Sequence, residues 1–149
     1  MKQFESTVTM AASPEQVWSV LADVVRWPEW LPTVTRVEPL DSSSLKIGAR
    51  YKISQPKLPI TVWTVSELTS GSSFNWEAHS PGIRTIATHA LAPISSLEAR
   101  ATLGVIFSGF FAGAVSLFKG GLTQDYLNRE AAALKETLLR LSGPNPSQT

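Results

Sequence analysis

The sequence predicts an α+β domain in which helices cover one face of an antiparallel β-sheet. The first observation is a long amphipathic helix, because apolar side chains recur at steps of three and four from residue 123 to residue 141. These are Leu127, Ala131, Leu134, Leu138 and Leu141. The second observation is that most of the chain before this helix alternates apolar with polar residues or is rich in β-branched residues, as strands are. An antiparallel sheet of that extent buries one apolar face, and the long helix is the element able to cover it.

The N-terminal part predicts one strand and two short helices. Residues 3–10 alternate polar with apolar side chains, which is the pattern of a strand. A helix is expected to begin after Ser13, since Ser13 can cap it, Pro14 suits the first helical position and Gln16 can complete a capping box. Residues 26–32 hold two prolines, which limit a second helix there to about one turn.

Six further strands are expected between the short helices and the long one. They are predicted at residues 33–40, 48–55, 60–68, 73–79, 83–91 and 96–107. A Pro-Gly turn joins the fourth and fifth of these into a hairpin. Because cross-strand neighbours point the same way, Phe74 and Trp76 should share a face with His89. The last strand should place Leu97 and alternate residues as far as Phe107 on its inner face.

The segment that feeds into the long helix is predicted to form the lid of a pocket. Residues 107–118 are apolar and rich in Gly and Ala, so we expect them to pack loosely and to open locally. The uncharged stretch at residues 103–118 is shorter than the ~20 residues that cross a bilayer as a helix. We therefore expect no integral membrane span, while transient contact of this segment with a membrane stays open.

Composition narrows the class of protein. The 149 residues carry a net charge of +1 with scattered basic residues, which is not the pattern of a nucleic-acid-binding protein. We expect a single domain over residues 1–141 and a flexible tail at residues 142–149, which hold no apolar side chain. The N-terminus lacks the apolar core of a secretory signal, so a cytoplasmic location is expected. A monomer and a homodimer are both compatible with the sequence.

Neither a metal nor a cofactor is expected. The chain has no cysteine, which excludes disulfides, thiolate catalysis and Cys-based metal sites. His79 and His89 should fall on opposite faces of the hairpin and so cannot easily share a metal ion. The sequence also lacks the glycine motifs of phosphate and dinucleotide sites and the motifs of serine hydrolases and zinc proteases.

Several short segments, taken in order, carry a resemblance to a known family. They are residues 12–18 (ASPEQVW), residues 23–32, residues 63–67 (WTVSE), residues 74–76 (FNW), the Pro81-Gly82 turn, His89 and residues 130–135. Their order resembles the START-like superfamily, and within it the polyketide cyclase/dehydrase and lipid-transport (SRPBCC) family. The resemblance implies a helix-grip fold, in which a curved seven-stranded antiparallel sheet wraps around the C-terminal helix and leaves a deep apolar cavity.

The resemblance and the predicted strand faces together give a set of candidate ligand contacts. These are Trp30, Tyr51, Trp63, Phe74, Trp76, His89, Phe107, Phe110 and Phe111. We expect binding or transport of a hydrophobic small molecule such as a lipid, a polyketide or an aromatic compound. The alternatives are a cyclase/dehydratase that uses His89 as its acid–base residue with Tyr51 assisting, and a module that docks on a partner protein. A core histidine satisfied by a neighbouring group would explain His89 without a ligand. The scarcity of ionisable groups on the predicted inner faces favours the carrier over the enzyme.

Overall fold

The protein is a curved seven-stranded antiparallel sheet that grips a long C-terminal helix. The structure, a computed structural model, describes residues 2–142. The strands are β1 (Lys2–Met10), β2 (Arg36–Pro39), β3 (Arg50–Ser54), β4 (Thr61–Thr69), β5 (Ser73–Ser80), β6 (Ile83–Ser95) and β7 (Glu98–Ser108), in the sheet order β1-β7-β6-β5-β4-β3-β2. The helices are α1 (Pro14–Leu21), α2 (Trp27–Trp30) and α3 (Ala112–Ser142). The predicted α+β class and helix-grip architecture are confirmed. The predicted tail at residues 142–149 lies outside the described residues, apart from Ser142 at the end of α3.

The short N-terminal helices form as the sequence predicts. The Ser13 hydroxyl accepts a hydrogen bond from the Gln16 backbone N–H at 3.2 Å, and the Gln16 side-chain oxygen accepts one from the Ser13 N–H at 3.0 Å. This capping box fixes the start of α1, which buries Val17 and Leu21 against the core. A single 3-10 turn, Val24–Arg26, leads into the four residues of α2.

The strand registers place the predicted inner face on one side of the sheet. In the β5–β6 hairpin, Phe74 pairs with His89 and Trp76 pairs with Ala87, so Phe74, Trp76 and His89 share a face, as predicted. On β7, Ala99, Ala101, Leu103 and Phe107 are buried and Val105, on the same face, is partly buried. Leu97, however, was wrongly assigned to this inner face. It lies in the turn before β7 and is exposed, because the strand begins only at Glu98.

Helix α3 begins earlier than its apolar periodicity indicates. It starts at Ala112, not at residue 123, and its 31 residues span about 46 Å. The early turns contain Gly113, Gly120 and Gly121, which disfavour helix by about 1 kcal/mol each relative to Ala. Tertiary packing outweighs that preference, because Gly120 is buried where the ring of Phe4 on β1 packs against it.

The far end of α3 runs past the core. Leu127, Ala131, Leu134 and Leu138 are buried, as the stripe predicts. Leu141 is exposed, which corrects its assignment to the stripe, because Leu138 is the last buried position of the helix. No helix within residues 2–142 combines the length and the apolarity that a bilayer span requires.

The neighbouring glycines of α3 allow a direct test of this packing. Gly121→Ala should raise the free energy of unfolding by about 0.5–1 kcal/mol, since Ala favours helix over Gly and nothing lies within 4 Å of the added methyl group. Gly120→Ala is the matched variant, and its methyl group would lie 2.9 Å from the Phe4 ring. That ring would have to move, so the gain should be absent. Urea unfolding measures both variants, and equal stabilisation would contradict the close approach of Phe4 to α3.

Candidate functional site

A cavity of about 230 Å³ lies between the inner face of the sheet and α3. The sheet contributes large aromatic walls, and α3 contributes one stripe of its surface. The sheet residues include Trp63, Trp76, Ala87, His89, Val105 and Phe107, and the helix residues are Val115, Lys119, Thr123, Tyr126, Leu127 and Glu130. Leu58 and Pro59, from the β3–β4 connection, and Ser80 and Ile83, from the hairpin end, also line it.

Three tryptophan side chains, those of Trp27, Trp63 and Trp76, form part of the cavity wall. The ring of Trp76 lies 5.2 Å from that of Trp27 and 5.9 Å from that of Trp63, measured between centroids. The Trp27 indole N–H donates a hydrogen bond to the Leu21 carbonyl oxygen at 3.0 Å. This bond ties the wall of the cavity to the end of α1, so the aromatic surface is held in place before any ligand arrives.

His89 is a buried polar group in this aromatic wall. Its ring stacks on Phe74 with centroids 4.1 Å apart. Nδ1 lies 3.2 Å from the Phe74 carbonyl oxygen, and because a carbonyl oxygen only accepts, Nδ1 carries the proton. Burial lowers the pKa of the imidazole to about 4, although the bond to Phe74 acts to raise it. At neutral pH the ring is therefore uncharged, and Nε2 is an acceptor with no hydrogen-bond partner among residues 2–142.

Glu130 brings a carboxyl group to the cavity from α3. The Thr33 hydroxyl, which is fully buried, donates to Oε1 of Glu130 at 3.1 Å. The Gln55 side-chain amide in turn donates to the Thr33 carbonyl oxygen at 3.2 Å. Burial raises the pKa of the Glu130 carboxyl to about 7, against the Thr33 hydrogen bond, which lowers it. Near neutral pH, both the protonated and the ionised form of this carboxyl group are therefore populated.

A further polar contact joins α3 to the connection between β3 and β4. The Tyr126 hydroxyl donates a hydrogen bond to the Pro56 carbonyl oxygen and so fastens the β3–β4 connection to α3. Among the described residues that line the cavity, Lys119 and Glu130 are the charged ones. In the same part of the chain, no cluster of three or more His, Asp or Glu side chains is arranged to hold a metal ion.

The structure gathers four of the nine predicted contact residues around the cavity. Trp63, Trp76, His89 and Phe107 line it. Tyr51 and Phe74 are fully buried and do not line it. The Tyr51 hydroxyl has no hydrogen-bond partner in the described part of the chain, and burial raises its pKa. A ligand-contacting role for any of these residues remains a prediction.

The other three predicted contacts lie elsewhere. Trp30 borders a separate, open groove against Arg129 and Glu136 of α3. Phe110 and Phe111 are exposed in the turn before α3, where the Phe111 ring packs on Gly82. They were placed near the cavity because the whole segment before α3 was expected to be its lid. Of residues 107–118, only Phe107, at the end of β7, and Val115, on α3, line the cavity.

The sequence reasoning missed Trp27, Tyr126 and Glu130. Trp27 and Trp30 sit three residues apart in a one-turn helix, and the pattern does not show which of them points inward. Glu130 and Tyr126 lie beside the apolar stripe of α3, at positions that also suit the solvent side of a helix. The position of Glu130 next to Ala131, a residue of the apolar stripe, is the one feature of the sequence that indicates that its side chain could face the core.

Comparisons with known proteins agree with this fold. An uncharacterised protein of Mycobacterium tuberculosis is 39% identical over 49 residues, which cover 30% of this chain and 29% of the relative. The match thus spans less than a third of that relative. A norcoclaurine synthase from Thalictrum flavum, in complex with dopamine and hydroxybenzaldehyde, is similar with a TM-score of 0.75 at 13% identity, over 96% of this chain and 89% of the synthase.

A further solved structure and a family profile complete the comparison. The di-domain aromatase/cyclase BexL from the BE-7585A biosynthetic pathway gives a TM-score of 0.72 at 17% identity, over 97% of this chain and 48% of BexL. The sequence profile described as polyketide cyclase / dehydrase and lipid transport matches residues 1–139. Since that match covers nearly the whole chain, the protein belongs to the polyketide cyclase/dehydrase and lipid transport family.

Proposed function

We propose that the protein binds a small hydrophobic molecule of one or two rings in the cavity between the sheet and α3. The observation that carries this proposal is the tryptophan-walled cavity with an unpartnered acceptor, His89 Nε2, in its wall. Ligand sites in proteins are typically apolar cavities with a few polar groups that orient the ligand. The cavity between the sheet and α3 likewise combines apolar walls with a few polar side chains.

The cavity volume favours a compact ligand over a long lipid. An engineered apolar cavity of about 150 Å³ accommodates benzene, and drug-sized ligands occupy sites of about 300–1,000 Å³. At about 230 Å³ this cavity lies between the two. A one- or two-ring molecule suits that space, whereas a molecule with two acyl chains would exceed it.

The polar groups favour a ligand that donates a hydrogen bond. Neutral His89 offers an acceptor at Nε2, so a phenol or an N–H heterocycle would satisfy it, and an ether or a hydrocarbon would not. The small hydroxylated aromatic molecules in the norcoclaurine synthase structure belong to this class. The family, which includes polyketide cyclases and lipid carriers, supports a hydrophobic ligand in general.

Filling the cavity with a larger side chain should weaken ligand binding. Ala87 lines the cavity beside Trp76, so Ala87→Phe should lower the affinity for 2-naphthol at least about tenfold by occupying the ligand's space. Ala90 lies on the opposite, exposed face of the same strand, so Ala90→Phe serves as the matched control and should leave the affinity unchanged. Quenching of tryptophan fluorescence during titration with 2-naphthol measures both.

The same titration tests whether His89 Nε2 accepts a hydrogen bond from the ligand. Wild-type protein should bind 2-naphthol about five- to tenfold more tightly than 2-methoxynaphthalene, because only the naphthol can donate to Nε2, and a net hydrogen bond contributes about 1 kcal/mol. His89→Phe should remove this preference. Equal affinity of wild type and Ala87→Phe would contradict binding in the cavity, whereas an unchanged preference in His89→Phe would contradict only the role of His89.

A second candidate is acid–base catalysis on a ligand held in the cavity, and the observation that favours it is Glu130. A carboxyl group with a pKa of about 7 exists in both protonation states at neutral pH, which suits a general acid or base. His89 is less suited to proton donation, because its pKa of about 4 leaves it uncharged. Glu130 therefore replaces His89 as the acid–base residue in the cyclase/dehydratase hypothesis. Recovery of an altered ligand with wild type but not with Glu130→Gln would favour catalysis over carriage.

The raised pKa of Glu130 has a consequence for stability. The pKa of Glu130 is 4.5 at its ordinary value, which applies to the unfolded chain, and about 7 in the folded protein. Between these two pH values the folded state holds more protons at this site than the unfolded state, so the free energy of unfolding falls as the pH rises. His89 acts in the opposite direction between about pH 4 and pH 6.5, so the wild type shows only the sum. Relative to Glu130→Gln, the wild type should lose on the order of 2 kcal/mol between pH 5 and pH 7.5.

Urea unfolding of both proteins across this pH range gives the difference. Thr33→Val provides a check, since loss of the hydroxyl removes the hydrogen bond that lowers the Glu130 pKa and should move the transition to higher pH. A difference between wild type and Glu130→Gln that does not change with pH would contradict a buried, proton-exchanging Glu130.

A further inference from the structure

The start of α3 and the turn before it carry a cluster of exposed apolar side chains. Phe110 is 87% exposed, Leu117 is 81% exposed and Phe118 is 84% exposed. With Phe111, which is 50% exposed, they fall within nine consecutive residues. We call these four residues the apolar face. A cluster of large side chains held in water on a folded protein indicates a surface that meets an apolar partner.

The early part of α3 is apolar on two sides. Ala112, Val115 and Gly120 face inward, towards the cavity or β1. Leu117 and Phe118 face solvent. The inward side explains why the helix packs on the sheet, but it gives no reason for the outward side to be apolar. The outward side therefore requires a separate explanation.

The charge pattern of this segment favours one class of partner. Residues 108–124 contain a single charged side chain, that of Lys119, and no carboxylate. Aromatic and aliphatic side chains together with lysine are typical of helices that lie in the interface of a bilayer, where anionic lipids attract cations and repel carboxylates. Phe110 and Phe111 also project from a turn, with their rings 5.1 Å apart and perpendicular. Such a projection can enter a deformable lipid surface.

The apolar face also adjoins the cavity. Val115 and Lys119 line the cavity from the same turns of α3 that present Leu117 and Phe118 outward. Ile60, next to the cavity-lining Pro59, is exposed as well. A bilayer in contact with this part of α3 would lie next to the cavity, so a hydrophobic molecule would have a short path between the two.

We propose that the protein docks on the surface of membranes that contain anionic lipids, by inserting the apolar face of residues 110–118 with Lys119 beside it. The contact is peripheral, and it does not depend on which molecule occupies the cavity.

Vesicle flotation tests the proposal on the full chain. Wild-type protein should float with vesicles of equimolar phosphatidylcholine and phosphatidylglycerol. The double variant Phe110→Ser, Phe118→Ser should lose roughly tenfold or more of its partition coefficient, because two large apolar side chains no longer enter the bilayer. Lys119→Gln should lower binding to these vesicles about fivefold while leaving binding to pure phosphatidylcholine vesicles nearly unchanged.

The control is a second pair of exposed leucines. Leu97→Ser, Leu139→Ser removes apolar surface from the β6–β7 turn and from the C-terminal half of α3, so vesicle binding should stay at the wild-type level. Because Phe110 and Phe118 do not line the cavity, the phenylalanine variant should still bind 2-naphthol. Retained binding shows that it is folded and separates this test from that of the proposed function.

Three results would overturn membrane docking. The first is that wild type floats with neither kind of vesicle, and the second is that the phenylalanine variant floats as well as wild type. The third is that sedimentation shows a wild-type dimer that the phenylalanine substitutions split into monomers, without vesicle binding. In that case a second copy of the chain covers the apolar face.

Discussion

The cavity depends on how α3 is attached to the sheet. The helix packs chiefly on β1 and β7, at one edge of the sheet, and Phe4 reaches Gly120 there. Its C-terminal half buries Leu134 and Leu138 in the core. The helix is thus held chiefly along one edge and at one end, and hydrogen bonds of Tyr126 with Pro56 and of Glu130 with Thr33 tie it to the opposite side. Between these attachments, Trp63 and Trp76 of the sheet line the space next to the helix. The space that remains is enclosed by the curvature of the sheet and forms the cavity.

The fold could be predicted because its signals are local and mutually consistent. The capping box at Ser13, the alternation along the strands and the stripe of α3 each fix an element without knowledge of its neighbours. The early turns of α3 could not be predicted in this way, since their glycines disfavour a helix and the compensation comes from tertiary packing, such as the contact of Gly120 with Phe4 and the burial of Ala112. Leu97 and Leu141 show the same limit, because both continue a pattern beyond the point where burial ends.

Residues of the candidate site could be predicted from the sequence only where the strand register determines the face of the sheet on which they lie. Trp76 and His89 were assigned to one face because cross-strand partners share a face, and both line the cavity. Glu130 depends instead on the packing of α3 against Thr33, a contact between residues 97 positions apart. Glu130 also weakens the argument that a scarcity of ionisable groups favours the carrier, because its carboxyl group belongs to a residue that lines the cavity. The cavity contains one such group that is poised near neutral pH, so carriage and catalysis are separated by experiment on Glu130.

The central claim is that the space between the sheet and α3 is the ligand site. A crystal structure of the protein grown with 2-naphthol tests it most directly. The account predicts density for the naphthol inside the cavity, against Trp63 and Trp76, with its hydroxyl within hydrogen-bond distance of His89 Nε2. Density for the naphthol only in the open groove beside Trp30, or a cavity filled by the protein's own side chains, would contradict it.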